Sequence, residues 1–404
     1  MNSNFLETLL FILLFAFEAH GQESFVTIQG RLIDQSTNEP IPYASIQVLG
    51  ASIGTTTNDD GRFVFHVPIA LEVKAIRVSA LGYDHFEASV TSMTRGEQKI
   101  TLKPGITMLD EVTIKAKKDL TAKEIVKTAV SKIPSNYPMK PFIIEGFFRD
   151  MQRENDKPVE LLEAALRFRY KDYNPGYEDV DIIEVRRSVN KRHPINGTYD
   201  RQNSIIDLME DNYVKHRFGP IHMKGWKFNI DSILTYNKRT VYKISGSINL
   251  SSSTIMFIDS ETFAILKLEL KNQMVGGQYY RRYLNLPDPY GLQETSFRMV
   301  FEFQEINQLM YLKYQREEDS YNLFNKTTQE ILLKQSFVKE IFVNNVITDP
   351  GVVAETKAMN FNKSVEGQAA PYNSEFWKHY NAPVETAKDS KIIGELEGTS
   401  LIQR

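Results

Sequence analysis

The sequence predicts a mainly β protein in two parts: a small β-sandwich, then an α+β domain built on a large antiparallel sheet. Three observations carry that expectation. Short apolar–polar alternations recur at regular intervals from Val26 onward, separated by Gly, Pro, Asn and Asp. One strong helical stripe, Ala122 to Ile133, interrupts them. The chain's 404 residues exceed what one ordinary core holds, so two domains are expected.

The chain opens on an apolar run, Leu9 to Phe17, too short to cross a bilayer by the roughly 20 residues that requires. Small residues at Ala19 and Gly21 follow it, so residues 1–21 read as a secretory signal cut before Gln22, although the leading stretch carries Glu7 and no Lys or Arg. Export to the periplasm or the outer membrane is the expected address. Cysteine is absent, which excludes disulfides, thiolate metal sites, a thiol nucleophile and a lipidated N-terminal cysteine.

From 25 to 104 the strands are predicted in order. Val26, Ile28 and Leu32 share one face of the first. Others are expected at Tyr43 to Leu49, Arg62 to Val67, Val73 to Ala80, Phe86 to Val90 and Gln98 to Leu102. Asn58-Asp59-Asp60-Gly61 supplies side chains that cap their own backbone, then a glycine that accepts positive φ. The blocks Gly30-Arg31-Leu32-Ile33-Asp34, Pro40-Ile41-Pro42-Tyr43-Ala44, Gly54 with Thr57, Asp60-Gly61-Arg62-Phe63 and Val78 to Tyr83 resemble the carboxypeptidase regulatory-like domain. The resemblance implies a transthyretin-like seven-stranded β-sandwich without catalytic residues. Leu109-Asp110-Glu111-Val112-Thr113-Ile114 is similar to the segment that leads into the plug of SusC-like TonB-dependent receptors, but here no plug follows.

A linker, 105–120, leads to the second domain, 121–404. Thr121 to Glu124 forms a capping box, Ala122, Ile125, Val126, Ala129, Val130 and Ile133 make one apolar stripe, and Pro134 closes the helix. The stripe is expected to pack on its own domain. Strands are predicted at Phe142 to Met151, Leu162 to Tyr170, Trp226 to Tyr236, Val241 to Ile248, Thr254 to Ile258 and Phe263 to Leu270. More are expected near Gln278 to Tyr283, Phe297 to Phe303, Met310 to Tyr314 and Phe337 to Val343. Helices are expected over Asn203 to Arg217 and Asn373 to Tyr380. The run Ala122 to Arg149 resembles a family of uncharacterised envelope proteins from one Gram-negative phylum. Ser252 to Lys271 resembles a hairpin of the lipoprotein-carrier half-barrels, which would imply shelter for an acyl chain.

Chemistry is sparse. Gly50-Ala51-Ser52-Ile53-Gly54 matches the serine-hydrolase elbow in letters but joins two strands, where that elbow needs a helix after it. None of His66, His85, His193, His216, His222 or His379 has Glu three places on, so zinc-peptidase spacing is missing. Glu160 with Glu163, and Glu317-Glu318-Asp319, are the acid pairs a glycan-cleaving site would need, and read by default as solvated clusters. Asp59-Asp60 lacks the rest of a calcium loop, and Gly276-Gly277 lacks the Lys and Thr of a phosphate loop. With net charge −3 and only isolated basic pairs, Arg186-Arg187, Lys191-Arg192 and Arg281-Arg282, no nucleic-acid partner is expected; those pairs too read as solvated faces. No catalytic, cofactor-binding or metal residue and no cofactor is assigned. A non-enzymatic envelope binding or adaptor protein with a protein partner is expected. A lipid or lipoprotein carrier-like half-barrel is the alternative, or an outer-membrane β-barrel component, the barrel disfavoured because the chain ends Thr399 to Arg404 without an aromatic strand.

Overall fold

In a computed structural model the described residues are 25–105, 120–173, 179–189, 205, 224–236, 239–273, 286, 288–349, 351, 358–360, 363, 365–368 and 371–397. The signal segment, the Leu109 to Ile114 block, the Gln278 to Tyr283 strand, the Gly276-Gly277, Lys191-Arg192 and Arg281-Arg282 pairs, His193, His216, His222 and the chain end lie outside them. So does the 203–217 helix candidate, apart from Ile205.

The front alternation folds as expected into seven strands: β1 (Phe25–Asp34), β2 (Ser45–Val48), β3 (Gly54–Thr56), β4 (Arg62–Pro68), β5 (Ala75–Ser79), β6 (Phe86–Ser89) and β7 (Glu97–Leu102). They form two sheets, β4-β1-β7 and β3-β2-β5-β6. The inward positions Ile28, Leu32, Ile46, Phe63, Phe65 and Ile76 close the core between them. β1 pairs antiparallel with β4 and parallel with β7. A one-turn helix, α1 (Val90–Met93), is capped by Ser89, whose Oγ accepts from Ser92 N. The Asn58 turn works as its residue types dictate. Asn58 Oδ1 accepts from Asp60 N at 3.0 Å and Arg62 N at 2.8 Å, and Gly61 takes φ +71°, where a Cβ would stand 2.4 Å from Leu32 O.

The predicted helix is α2 (Ala122–Ser131). Thr121 Oγ1 accepts from Glu124 N at 3.3 Å while Glu124 Oε2 accepts from Thr121 N at 2.8 Å. It stops at Ser131, earlier than Pro134 would force. Pro134 instead sits in the first turn of α3 (Ile133–Asn136), where no intrahelical bond needs its missing N–H. Ile125, Val126 and Ala129 bury their stripe on the domain's own sheet against residues such as Ile244, Met256 and Leu268. Burying each of the two larger side chains contributes roughly 1.5–3 kcal/mol.

That sheet has ten strands: β8 (Phe142–Glu154), β9 (Lys157–Tyr170), β10 (Asp179–Val189), β11 (Lys227–Tyr236), β12 (Arg239–Ser247), β13 (Ser252–Asp259), β14 (Ile265–Gln273), β15 (Tyr290–Ile306), β16 (Leu309–Asn325) and β17 (Ile331–Ile347). Their order is β10-β9-β8-β17-β16-β15-β14-β13-β12-β11 and every pairing is antiparallel. Two meanders, β8 to β10 and β11 to β17, therefore meet at the seam between β8 and β17. β10 was not foreseen, and β15 to β17 run to 17 residues each, well beyond the predicted segments. The β13–β14 hairpin turns as expected, with Asp259 Oδ1 accepting from Glu261 N and Thr262 N. Two helices close the described chain. The expected one is α4 (Ser374–His379), capped by Asn373; α5 (Ala387–Glu397) opens on a reciprocal pair between Thr386 and Asp389.

Candidate functional site

Alternation places successive residues of a strand on opposite faces, so the two faces of the large sheet carry different chemistry. One face is covered by α2 and is apolar over most of its area. Along the strands it then turns charged. A row across β16, β17, β8, β9 and β10 reads Glu317, Lys339, Asp150, Leu162, Arg187, and the next reads Asp319, Phe337, Gln152, Glu160. Lys339 is fully buried and its Nζ donates to Glu317 Oε1 at 2.9 Å. Arg187 pairs with Glu160 at 2.7 Å.

On the opposite face a row across the same five strands alternates in charge: Arg316, Glu340, Arg149, Glu163, Arg186. Arg316 reaches Glu340 at 2.6 Å, Arg149 reaches Glu163 at 2.7 Å, and Arg186 also donates to Glu163. Burial pushes the Glu163 carboxyl up, but Arg149 and Arg186 outweigh it and hold the group below its ordinary range. Beside this row lies an aromatic patch of Phe147, Tyr314, Phe342 and Trp377. Arg186 stands over the Trp377 ring at 4.6 Å, a cation–π contact.

The front sandwich and the C-terminal segment both seat on this face. Tyr43, at φ +58°, stacks on Tyr314 with centroids 4.8 Å apart. Its hydroxyl donates to Asp59 and accepts from Arg316 at 3.3 Å, and its carbonyl accepts from Lys313 Nζ at 3.2 Å. Ile53 bridges to Asn345, and Val346 N donates to Ser52 O at 3.3 Å. From the C-terminal side, Asn58 Nδ2 donates to Val384 O at 2.9 Å, Asn381 exchanges hydrogen bonds with the His66 backbone, and Asp389 lies 3.7 Å from Arg149. The three parts enclose a crevice of about 50 Å³ lined by residues including Tyr43, Asp59, Arg149, Arg316, Glu340 and Asp389. That volume suits one or a few waters, far below the roughly 300 Å³ at which ligand pockets begin. The arrangement is an interlock, with its charges already matched.

The residues singled out in the sequence fall accordingly. Glu160 and Glu163 lie on opposite faces of β9 and do not converge as an acid pair, whereas Glu317 and Asp319 share one face of β16 in adjacent rows, with Glu318 on the other. The expectation of solvated clusters is corrected. Glu160, Glu163, Glu317 and Asp319 are buried; Arg186 pairs with Glu163 and Arg187 with Glu160, on the two faces, rather than forming a free basic pair. Buried carboxylates need cations beside them, and β8, β10 and β17 supply Arg149, Arg186, Arg187 and Lys339. Ser52 lies in the β2–β3 loop with no helix after it. Asp59 and Asp60 serve the Asn58 turn, Asp59 also accepting from Tyr43. Among the described residues no group of three His, Asp or Glu side chains is placed to hold a metal ion.

One pair of histidines does meet. His66 of β4 and His379 of α4 have ring centroids 6.1 Å apart, with Phe25 stacked on His379 and Thr27 Oγ1 2.9 Å from His66 Nδ1. Burial first, and then His379, lower the pKa of His66 below its usual 6.5. A depressed folded-state value means the unfolded chain binds more protons in that window, so stability is full above about pH 6.5 and declines as pH falls. The melting temperature of the wild type is expected to drop between about pH 7.5 and 5.5 by more than that of His66→Asn. Equal drops in thermal scans would remove His66 from the account.

Residues 28–114 match the CarboxypepD_reg-like domain, and the front sandwich is such a domain. No curated protein matches the chain. Among solved structures, a DUF1329 family protein from Desulfovibrio piger is similar at 10% identity and TM-score 0.25, over 58% of this chain and 95% of its own. A putative outer membrane lipoprotein-sorting protein domain from Vibrio parahaemolyticus shows 11% identity and TM-score 0.25, over 57% and 95%. A LolA superfamily protein from Nitrosomonas europaea shows 8% and 0.22, over 59% and 96%. These likenesses are too distant to transfer a ligand or a role.

Proposed function

We propose that the chain is a non-catalytic binding scaffold of the cell envelope, exported to the periplasm or the outer membrane, whose front sandwich and large sheet act as one body toward an envelope protein partner. The interlock at Tyr43 carries this reading. A module tied to its neighbour by stacking, a bridge and ion pairs presents surfaces in fixed relation, which a binding scaffold needs and a tethered domain lacks. The ion pairing of the acids supports it as well, since Glu163 is matched by Arg149 and Arg186, Glu160 by Arg187 and Glu317 by Lys339.

The test is purification from the native envelope followed by native mass spectrometry, with peptide, ester and glycan hydrolysis assayed on the same sample. A co-purifying envelope protein and no turnover are expected. Robust turnover would overturn the reading, and a strippable mass of lipid size without a protein partner would replace it with a carrier.

A further inference from the structure

The outer face of the sheet β4-β1-β7 points away from the sandwich core, and its exposed residues fall in rows set by the pairing register. At one level Arg31 stands directly opposite Arg62 on β4 and Lys99 on β7. Three cations therefore share a single cross-strand row spanning about 10 Å, at the usual spacing of about 4.8 Å between strands. Like charges placed directly opposite destabilise a sheet.

Among the described residues no carboxylate lies within ion-pairing distance of any of the three. Glu97, one pleat along β7, borders the same groove without pairing. Charge on an edge strand is often explained as protection against edge-to-edge pairing. That explains Arg62 and Lys99, since β4 and β7 are the outer strands, but not Arg31, which sits on the central one. Its guanidinium is also held in place, Nε donating to Asp60 O at 3.0 Å. The row borders an open groove of about 350 Å³ whose rim adds Asn38 and Gln98 as neutral hydrogen-bonding side chains. The other end of this face is occupied by the C-terminal segment, through Asn381 at His66.

We propose that Arg31, Arg62 and Lys99 form a binding site for a phosphoryl group carrying more than one negative charge, such as a phosphomonoester or a diphosphate. The guanidinium fork matches phosphate oxygens two at a time, the ammonium adds a point charge, and a multivalent anion offsets the mutual repulsion of all three where a single carboxylate would not. The group comes either from a soluble phosphoester or from a membrane headgroup. The site lies on the front sandwich, away from the interlock, and does not depend on the scaffold reading.

The experiment uses the whole exported chain and two probes: inorganic pyrophosphate in a thermal-shift titration, and vesicles containing phosphatidic acid, a phosphomonoester headgroup, against phosphatidylcholine alone in co-sedimentation. A rise in melting temperature with pyrophosphate assigns a soluble phosphoester. Sedimentation with phosphatidic acid vesicles alone assigns the headgroup. In either case Arg31→Gln, and separately Lys99→Gln, should weaken binding at least about tenfold, and both responses should fall as sodium chloride is raised. Since both side chains are exposed, the variants are expected to fold, which their unfolding curves check. No response to either probe, or a response that Arg31→Gln and Lys99→Gln leave unchanged, overturns the proposal.

Discussion

Lys339→Met is expected to destabilise the protein by about 3–5 kcal/mol. The side chain is fully buried on β17, between Asp150 of β8 and Glu317 of β16, and its ammonium bonds to Glu317 at 2.9 Å. Methionine matches its length and loses no packing, so the effect isolates the charge left behind on the two neighbouring acids. Urea unfolding would read it as a lower midpoint at unchanged slope. Combining Lys339→Met with Glu317→Met should recover much of the loss, because removing both partners of a buried pair costs less than stranding one. If the single variant unfolds within about 1 kcal/mol of the wild type, the acids on that face are solvated and the buried row has no structural role.

The second large effect is expected at the interlock. Tyr43→Ala removes the stack on Tyr314, the hydroxyl shared by Asp59 and Arg316, and the packing that orients the carbonyl toward Lys313. A fully buried aromatic ring costs about 3–5 kcal/mol on truncation; Tyr43 is half-buried, so a loss on the order of 2 kcal/mol is expected. The diagnostic readout is cooperativity. Calorimetry of the wild type should give one transition for both parts, whereas the variant should separate the sandwich from the sheet, with amide exchange rising at β2 and β3 first. Tyr43→Phe keeps the stack and should retain the single transition. A variant that still melts in one step would place the coupling elsewhere along the seam.

How far the sequence revealed this depends on where the charges sit. The front strands were legible because their inward residues are uniformly apolar, as in Phe63, Phe65 and Val67 of β4; only β3 was too short to declare itself. Helix α2 announced both its cap and its stripe. The long strands were read as fragments because the interior rows interrupt their apolar alternation. The β16 pattern runs from Met310 to Tyr314 and breaks at Gln315, Glu317 and Asp319, which are buried yet look like surface. β10 carries no strand pattern for a like reason, since Asp181, Glu184 and Arg186 stand where such a pattern wants carbon. The faces of the acids could have been told apart, because residues three apart in a strand must point oppositely. Their partners could not, for the neighbours of β8 and β17 are set by tertiary pairing that no local pattern encodes. The interlock was equally hidden, because nothing about Tyr43 in Pro-Ile-Pro-Tyr-Ala distinguishes a seam residue from a turn residue.

The seam between β8 and β17 has a consequence for how the chain reaches its fold. β8 opens the large domain at residue 142, and its permanent neighbour on one side is completed only at residue 347. Until then the first meander keeps a long bare margin of N–H and C=O groups, and so does β16. Assembly must wait for one late insertion across nearly the whole domain, which favours slow acquisition of the final topology. A chain halted before residue 331 would hold two complementary open margins with nothing to zip them, inviting the margin of another copy instead. Safe delivery of the nascent chain is then a matter of shielding that gap until its last long strand arrives.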